Sequence, residues 1–462
     1  MHTDDTIAAI STPSGRSGIG IVRLSGNEAI KIADRIFISP KNKKLRQTKS
    51  HRILFGYIID PANNEIADEV LVSIMKSPST YTKEDIVEIN CHGGVLPQRK
   101  ILELVLAHGA RLAEPGEFTQ RAFINGRIDL TQAEAVLDVI NALTDQSRKT
   151  AVAQLKGGLS ERLAAIREEL VDLTAFVEAH IDFPDEDIDA LSLKDIKKKA
   201  LKLQHSLKKM IDSSRYGVIL REGLKTAIIG RPNVGKSSLL NALLQHDRAI
   251  VTEFPGTTRD VIEEYLNISG LPVKIMDTAG IREVKEIAEK EGVKRSLKAM
   301  EDADLVLLVL DGSEALHKTD RELIEKSGVK NTVIVINKCD LSRKINLKAE
   351  ANLKPGTAGN IVRISAKKGT GLDGLKRRVT DTVLHGHSES SADVVTNIRH
   401  VHALEKTLAS INSFLQASAK GISPEFLSVE LRDALDSIGE ITGITTPDDI
   451  LNRIFSSFCI GK

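Results

Sequence analysis

The sequence contains no tryptophan, and aromatic residues make up only 3% of its 462 positions. That scarcity argues against a protein that reads single-stranded RNA by stacking bases on an aromatic sheet. An excess of either charge is missing too. Lys and Arg number 64 against 63 Asp and Glu, a formal net charge of +1. Nucleic acid is therefore not held by global charge, and a local patch is the remaining route. Cysteine is scarce: Cys91, Cys339 and Cys459 lie far apart and form no C-x-x-C pair. Neither a zinc ribbon nor a disulfide framework is encoded, which fits a reducing, cytoplasmic setting. Long hydrophobic runs are also absent. The longest, Leu305 to Leu310, suits a buried strand, whereas a membrane-spanning helix needs about 20 apolar residues. No membrane association is expected. The start, Met1-His2-Thr3-Asp4-Asp5, shows no basic segment ahead of an apolar one, so no signal peptide is read.

What is present is an ordinary globular composition, 41% hydrophobic and 27% charged, with length for about three domains. Residues 1–120 read as mixed α/β. Strands are expected at Thr6–Ile10, Gly20–Leu24, Ile53–Ile59, Glu69–Met75 and Ile86–Asn90, with a helix over Leu96–His108. The run holding Lys41, Lys43, Lys44, Arg46 and Lys49 reads first as a solvated loop, with an RNA-facing patch as the alternative. Residues 121–222 are helical. Thr131-Gln132-Ala133-Glu134 matches a capping box. The helical pattern breaks at Gly157-Gly158 and resumes to Ile181. A third helix carries the stripe Leu193, Ile196, Ala200, Leu203, Leu207 and Met210, with lysines on its other face. Residues 223–385 alternate strands with helices. The strands are Lys225–Ile229, Val273–Met276, Leu305–Leu310, Thr332–Ile336 and Ile361–Ile364, the rhythm of a doubly wound, mostly parallel sheet. Helices return over 386–462. Thr446 is the expected N-cap of the last one, with Pro447 at its first position. The fold class is thus α/β plus all-α, a helical domain interrupted by an inserted α/β domain.

Gly230-Arg231-Pro232-Asn233-Val234-Gly235-Lys236-Ser237 matches G-x-x-x-x-G-K-[ST] between a strand and the helix that opens at Ser238. Glycines let backbone N–H groups turn inward, and the helix N-terminus adds partial positive charge. Lys236 should reach the β/γ-phosphates and Ser237 should hold Mg²⁺. Asp277-Thr278-Ala279-Gly280 follows a strand. Asp277 is placed to meet Mg²⁺ through water, and the Gly280 N–H to sense the γ-phosphate. Asn337-Lys338-Cys339-Asp340 ends a later strand. The Asp340 carboxylate can accept from guanine N1–H and N2–H₂, donors that adenine lacks there. Ser365-Ala366-Lys367 completes the base pocket through the Ala366 N–H. These motifs, in this order, resemble the GTP-binding domain of the Ras-like superfamily. Ile281 stands where such enzymes can carry a water-orienting Gln, so another group must place the water.

The phosphate loop, the switch Gly256-Thr257-Thr258-Arg259-Asp260 and the end Phe458-Cys459-Ile460-Gly461-Lys462 together resemble the MnmE (TrmE) family of tRNA-modification GTPases. So do Gly18–Gly26, Cys91–Gly94, Glu114–Thr119 and Ile181–Glu186, which extends the likeness over essentially the whole chain. The resemblance implies a homodimer whose N-terminal domains bind a tetrahydrofolate derivative, 5-formyl- or methylene-tetrahydrofolate. It implies a heterotetramer with the flavoprotein MnmG, which brings the FAD. Together they would modify carbon 5 of the wobble uridine of certain tRNAs, with a folate one-carbon unit and glycine or ammonium. GTP hydrolysis would be stimulated by K⁺. By the same likeness, Asn233, Thr252, Phe254 and Thr257 hold K⁺, and Thr258 joins Ser237 on Mg²⁺. Glu253, Pro255 and Gly256 belong to the same GTP-binding segment, and Glu289 orients water. Arg23, Glu88, Arg127 and Lys462 fall at folate-binding positions.

Cys459 has two readings, a nucleophile or acid–base group on the uridine ring, or a small residue in a terminal turn. Cys91 and Cys339 read as structural. The acidic run Asp182 to Asp189 lacks calcium-loop spacing and reads as a connecting loop. A competing functional reading is a regulatory GTPase of ribosome assembly, without modification chemistry.

Overall fold

Period-two alternation builds the first sheet. The computed structural model describes residues 5–13, 15–182, 193–247, 264–276, 297–327, 331–345, 360–384 and 394–462. The chain divides into two compact units, 1–137 with 439–462, and 138–438.

In the first unit the strands are β1 (Ile7–Ile10), β2 (Ser17–Ser25), β3 (Phe37–Ile38), β4 (Arg52–Asp60), β5 (Glu65–Met75), β6 (Ile86–Gly93) and β7 (Arg111–Leu112). They form one sheet in the order β3-β4-β5-β6-β2-β1-β7. Every pairing is antiparallel except that of β1 with β7. Val22, Leu24, Val70, Val72, Ile74, Val87 and Ile89 point to one face. There they meet Ile32 and Ile36 of helix α1 (Ala29–Ile36), and Ile101 and Val105 of α2 (Val95–Ala107). Each fully buried Val, Ile or Leu contributes roughly 1.5–3 kcal/mol relative to exposure. That fixes the register, because a one-residue slip would turn the whole set outward. All five strands expected from the sequence in this region are present. In the run from Lys41, Leu45 is buried, and its N–H donates to Asp34 Oδ1 at 2.6 Å. The lysines Lys41, Lys43 and Lys44 are exposed.

Two helix starts differ from expectation. Helix α3 covers Glu117–Ile124, and α4 (Leu130–Asn141) is capped two residues earlier than Thr131-x-x-Glu134 proposes. Asp129 Oδ1 accepts from the Gln132 N–H at 2.9 Å, and Gln132 Oε1 accepts from the Asp129 N–H at 3.0 Å. The reciprocal box is thus Asp129-x-x-Gln132, and the Thr131 hydroxyl donates to Asp129 Oδ1. Near the end of the chain, Pro447 rather than Thr446 occupies the cap position of the last helix, Asp448–Ser456. The Thr446 hydroxyl instead donates to the Glu440 carbonyl at 2.8 Å. That last helix brings Phe455 and the following Phe458 into an apolar cluster with Ala122, Ile128, Leu130 and Ala133. Residues 439–462 belong to the first unit for this reason.

The second unit holds α5 (Asp145–Leu155), α6 (Gly158–Asp182) and α7 (Leu193–Glu222), then the inserted sheet, then α11 (Ile398–Ala419). The helix break expected at Gly157-Gly158 is present. The inserted elements are β8 (Leu224–Ile229), α8 (Lys236–Asp247), β9 (Glu264–Ile268), β10 (Leu271–Met276), β11 (Leu305–Asp311), α9 (Lys318–Ser327), β12 (Thr332–Asn337), β13 (Ile361–Arg363) and α10 (Leu372–Leu384). The strand order is β13-β12-β11-β8-β10-β9. All neighbours are parallel except β9 and β10. β11 explains the architecture. Leu305, Leu307 and Val309 enter one core and Val306, Leu308 and Leu310 another, so both faces of the strand are covered. β9 has no counterpart in the sequence reading. It joins β10 through Ser269 (φ +53°) and Gly270 (φ +90°), a two-residue turn of the hairpin type that needs positive φ twice. Helix α12 (Pro424–Thr442) follows α11, and the last helix, α13 (Asp448–Ser456), belongs to the first unit.

Candidate functional sites

The phosphate loop follows the buried strand β8 and opens α8. Two glycines are dictated by space. A Cβ on Gly230 (φ +148°) would lie 2.3 Å from the Val309 carbonyl oxygen, and one on Gly235 (φ +99°) 2.2 Å from Asn337 Nδ2. Asn233 between them sits at φ +64°, a region asparagine tolerates better than most residues. Val234 is buried in the core and anchors the loop from below. The Lys236 ammonium donates to the Gly230 and Arg231 carbonyls, both at 2.8 Å. Burial lowers its pKa, so its charge is poorly hydrated and open to an anionic partner. Arg231 is held away from the loop by Asp320, with Nε–Oδ distances of 2.9 Å.

Asn337 is the node of this region. Its Nδ2 donates to the Val234 carbonyl at 2.9 Å, and its Oδ1 accepts from the Ala366 N–H at 3.0 Å. One buried amide therefore ties the phosphate loop to both base-loop segments. Lys338 (φ +62°) donates to Asp311 at the end of β11. The Ser365 hydroxyl donates to Asp340 Oδ1 at 2.6 Å and holds that carboxyl below its usual range. The Lys368 N–H donates to the same hydroxyl at 3.2 Å. Asp340 is thus an oriented, ionised acceptor. Asn233, Val234, Gly235, Lys236, Ser237, Asn337, Lys338, Asp340, Ser365 and Ala366 lie on three adjoining segments at the C-terminal ends of the parallel strands β8, β12 and β13. Ser238 and Lys367 are exposed there. Thr252, Glu253, Phe254, Pro255, Gly256, Thr257, Thr258, Asp277, Thr278, Ala279, Gly280 and Glu289 lie outside the described residues. So does the acidic run beyond Asp182.

A second constellation forms in the first unit. Arg23 on β2 and Glu88 on β6 are register partners, joined at 2.8 and 2.9 Å. Arg23 also donates to the Gly461 carbonyl at 3.2 Å, and its guanidinium lies 5.6 Å from the Phe118 ring centre. Arg127 lies 4.7 Å over the Tyr81 ring. The Tyr81 hydroxyl is 2.9 Å from that of Thr119. Burial raises the Tyr81 pKa, opposed by the Thr119 hydrogen bond and the charges of Arg127 and Arg23. Each guanidinium therefore lies over its own ring, and Tyr81 packs against the apolar cluster that holds Phe118. Sequence reasoning did not single out Tyr81. The available signal was its rarity, since the chain has four tyrosines.

The C-terminal turn is clamped beside this group. The Gly116 N–H donates to the Cys459 carbonyl at 3.4 Å, Ile460 bridges Pro115, and the Ser11 hydroxyl donates to the Gly461 carbonyl at 3.1 Å. Cys459 is exposed, whereas Cys91 is buried and its thiol is pushed up to about 11, chiefly by burial. A Cβ on Gly461 (φ +93°) would meet the Ile10 carbonyl oxygen at 2.5 Å. Gly461→Ala should release the turn, at a cost of roughly 1–2 kcal/mol from the left-handed backbone alone. Hydrogen exchange at the Gly116 and Lys462 amides should then accelerate about tenfold or more. Unchanged protection would count against the clamp.

A glycine-shaped anion loop at a helix N-terminus, joined through one asparagine to an oriented carboxylate, defines a phosphate-loop nucleotide-binding protein of the guanine-reading kind. The comparisons with known proteins narrow this class. The family described as "MnmE helical domain" matches residues 130–459, and "GTP-binding protein TrmE N-terminus" matches 6–127. A protein of Alkaliphilus oremlandii called "tRNA modification GTPase MnmE" is 48% identical over 463 residues, covering 100% of both chains. Its namesake from Thermoanaerobacter pseudethanolicus is 50% identical over 460 residues, 99% of each. That of Ligilactobacillus salivarius is 48% identical, over 99% of this chain and 98% of its own. The chain belongs to the MnmE family. Among the described residues, no helix is long and apolar enough to cross a membrane.

Proposed function

We propose that this chain is a K⁺-stimulated GTP hydrolase of the cytoplasm. With the flavoprotein MnmG it adds an aminomethyl or carboxymethylaminomethyl group to carbon 5 of the wobble uridine of certain tRNAs. The coarser part, a tRNA-modifying GTPase, follows from full-length identity of 48–50% to proteins of that name. The finer part is supported by the convergence of Arg23, Glu88 and the terminal turn, with Arg127 over the Tyr81 ring. Cations suit the carboxylate tail of a folate, and a carboxylate suits pterin N–H groups.

In this reading residues 1–120 bind the tetrahydrofolate derivative and pair two copies. Residues 121–222 and 386–462 form the helical domain, and 223–385 the GTP-binding domain. Lys236 and the loop N–H groups bind the phosphates. Asp340 and Ala366 read the base. Ser237 and Thr258 would hold Mg²⁺, and Asn233, Thr252, Phe254 and Thr257 would hold K⁺. When bound, the two ions would supply positive charge at the β/γ-phosphates, where no arginine finger is evident in the sequence. Glu289 would orient water. Cys459, exposed beside the folate positions, would act on the uridine ring.

The test is complementation of a bacterium lacking its own MnmE, with wobble nucleosides measured by mass spectrometry. Wild type should restore the modified nucleoside, and Cys459→Ser should lower it by about a hundredfold or more if the thiol does covalent or acid–base work. Full restoration by Cys459→Ser would leave the cysteine a turn residue. No restoration by well-expressed wild type with its own MnmG would overturn the tRNA-modifying reading.

A further inference from the structure

We propose that the exposed face of α7 is a phosphate-backbone surface for tRNA, an inference that rests on the tRNA-modifying reading above. The chain as a whole is nearly neutral, but this helix is not. Its 30 residues carry nine basic side chains and three acidic ones. Its apolar stripe, Ile196, Ala200, Leu203, Leu207 and Met210, is buried. The lysines are thereby forced onto the opposite, solvent-facing side.

Their spacing is regular. The pairs Lys197-Lys198 and Lys208-Lys209 are 11 residues apart, close to three full turns, so they share one face at about 16 Å separation. That span covers several successive phosphates of one strand. All four are exposed. Lys199 and Lys202, between them, are engaged by Asp172 and Glu169 of α6 at 3.7 and 2.7 Å. The two outer pairs have no carboxylate within ion-pair distance among the described residues. A rigid helix that holds four unneutralised ammonium groups in two fixed pairs costs Coulomb repulsion and gains no internal contact. A polyanion removes that repulsion.

The chemistry selects the occupant. α7 has one aromatic residue, the half-buried Tyr216, so the face offers charge without base stacking. Insertion into a membrane surface as an amphipathic helix would need the apolar side to enter lipid, and that side is buried in the protein. The basic loop at Lys41, Lys43 and Lys44 is the natural comparison, since it has similar charge without a helix to fix its spacing.

The experiment is a fluorescence-anisotropy titration of an unmodified tRNA transcript, uridine at the wobble position, with the full chain. KCl is held constant and NaCl varied. Wild type should bind with a negative log–log salt slope. K197Q/K198Q/K208Q/K209Q should lower affinity by about tenfold or more near 0.1 M salt and flatten the slope by roughly three. Gln preserves helix propensity, so far-UV circular dichroism and GTP hydrolysis should not move. Arg at the same four positions should keep both affinity and slope. K41Q/K43Q/K44Q should retain wild-type binding. The inference is overturned if the Gln variant binds as wild type does, if the loop variant alone loses binding, or if wild type binds no transcript at low salt. Restoration of wobble modification by wild type, measured in parallel, judges the underlying reading separately. Loss of modification by the Gln variant with unaltered tRNA affinity would also overturn the proposal and point to an acidic protein partner.

Discussion

Replacing Lys236 by alanine is expected to lower kcat/KM for GTP by at least about a hundredfold, or roughly 2.7 kcal/mol of transition-state stabilisation. The Lys236 ammonium already spans the turn, donating to the Gly230 and Arg231 carbonyls. It is therefore placed before any phosphate arrives. Burial has lowered its pKa, so the ammonium has given up part of its hydration. A phosphate oxygen offers a charge-assisted partner of the kind worth more than a neutral hydrogen bond. The same ammonium then follows negative charge as it builds on the transferring group. Alanine removes the donor and leaves the glycine-shaped backbone, since Gly230 and Gly235 are fixed by Val309 and Asn337 rather than by the lysine. The variant should keep its far-UV spectrum and much of its secondary structure. Steady-state hydrolysis over a range of GTP concentrations checks the expectation. A kcat/KM within tenfold of wild type would mean that another cation neutralises the phosphates.

How far the sequence alone reached can be read from particular residues. β11 was legible because six consecutive apolar residues, too short for a typical helix and set among alternating strands and helices, fit a strand covered on both faces. The helical stripe of α7 was legible because its period is local. β9 was not. Its five residues include Glu264 and Asn267, and its strand character comes from pairing with β10 across a Ser269–Gly270 turn. The cap at Asp129 was missed because two overlapping tetrads satisfy the same pattern, and only geometry chooses between them. The motif residues of the nucleotide site were found one by one, but not the way Asn337 joins them. That contact links Val234 and Ala366, which are 132 residues apart. The same holds for the terminal turn. Arg23 and Gly461 are 438 residues apart, and no local pattern predicts that they meet. Long-range polar contacts of this kind carry much of both candidate sites and leave no periodic trace in the sequence.

Asp340 carries the second large expected effect, a change in which base is accepted. Guanine presents two donors to this position, N1–H and N2–H₂. An ionised carboxylate accepts both, and the Ser365 hydrogen bond keeps Asp340 ionised and fixes its plane. In Asp340→Asn one acceptor becomes an NH₂ group. The Asn carbonyl can still accept from Ser365 and from N1–H, but its NH₂ then faces the guanine N2 amino group, donor against donor. Xanthine carries a carbonyl at that carbon, so the same NH₂ finds an acceptor. Sites built on such hydrogen bonds discriminate by about 10⁴–10⁵ when the partner is wrong. A conservative expectation is that kcat/KM for GTP falls by about a thousandfold, while xanthosine triphosphate becomes the better substrate. Because the substitution is nearly isosteric and Asp340 is only half-buried, stability should change little. Parallel hydrolysis assays with the two nucleotides decide the matter. If Asp340→Asn kept the wild-type preference for GTP, base reading would have to rest on Ala366 and the neighbouring backbone. The Ser365–Asp340 bond would then serve to hold the loop rather than to select the base.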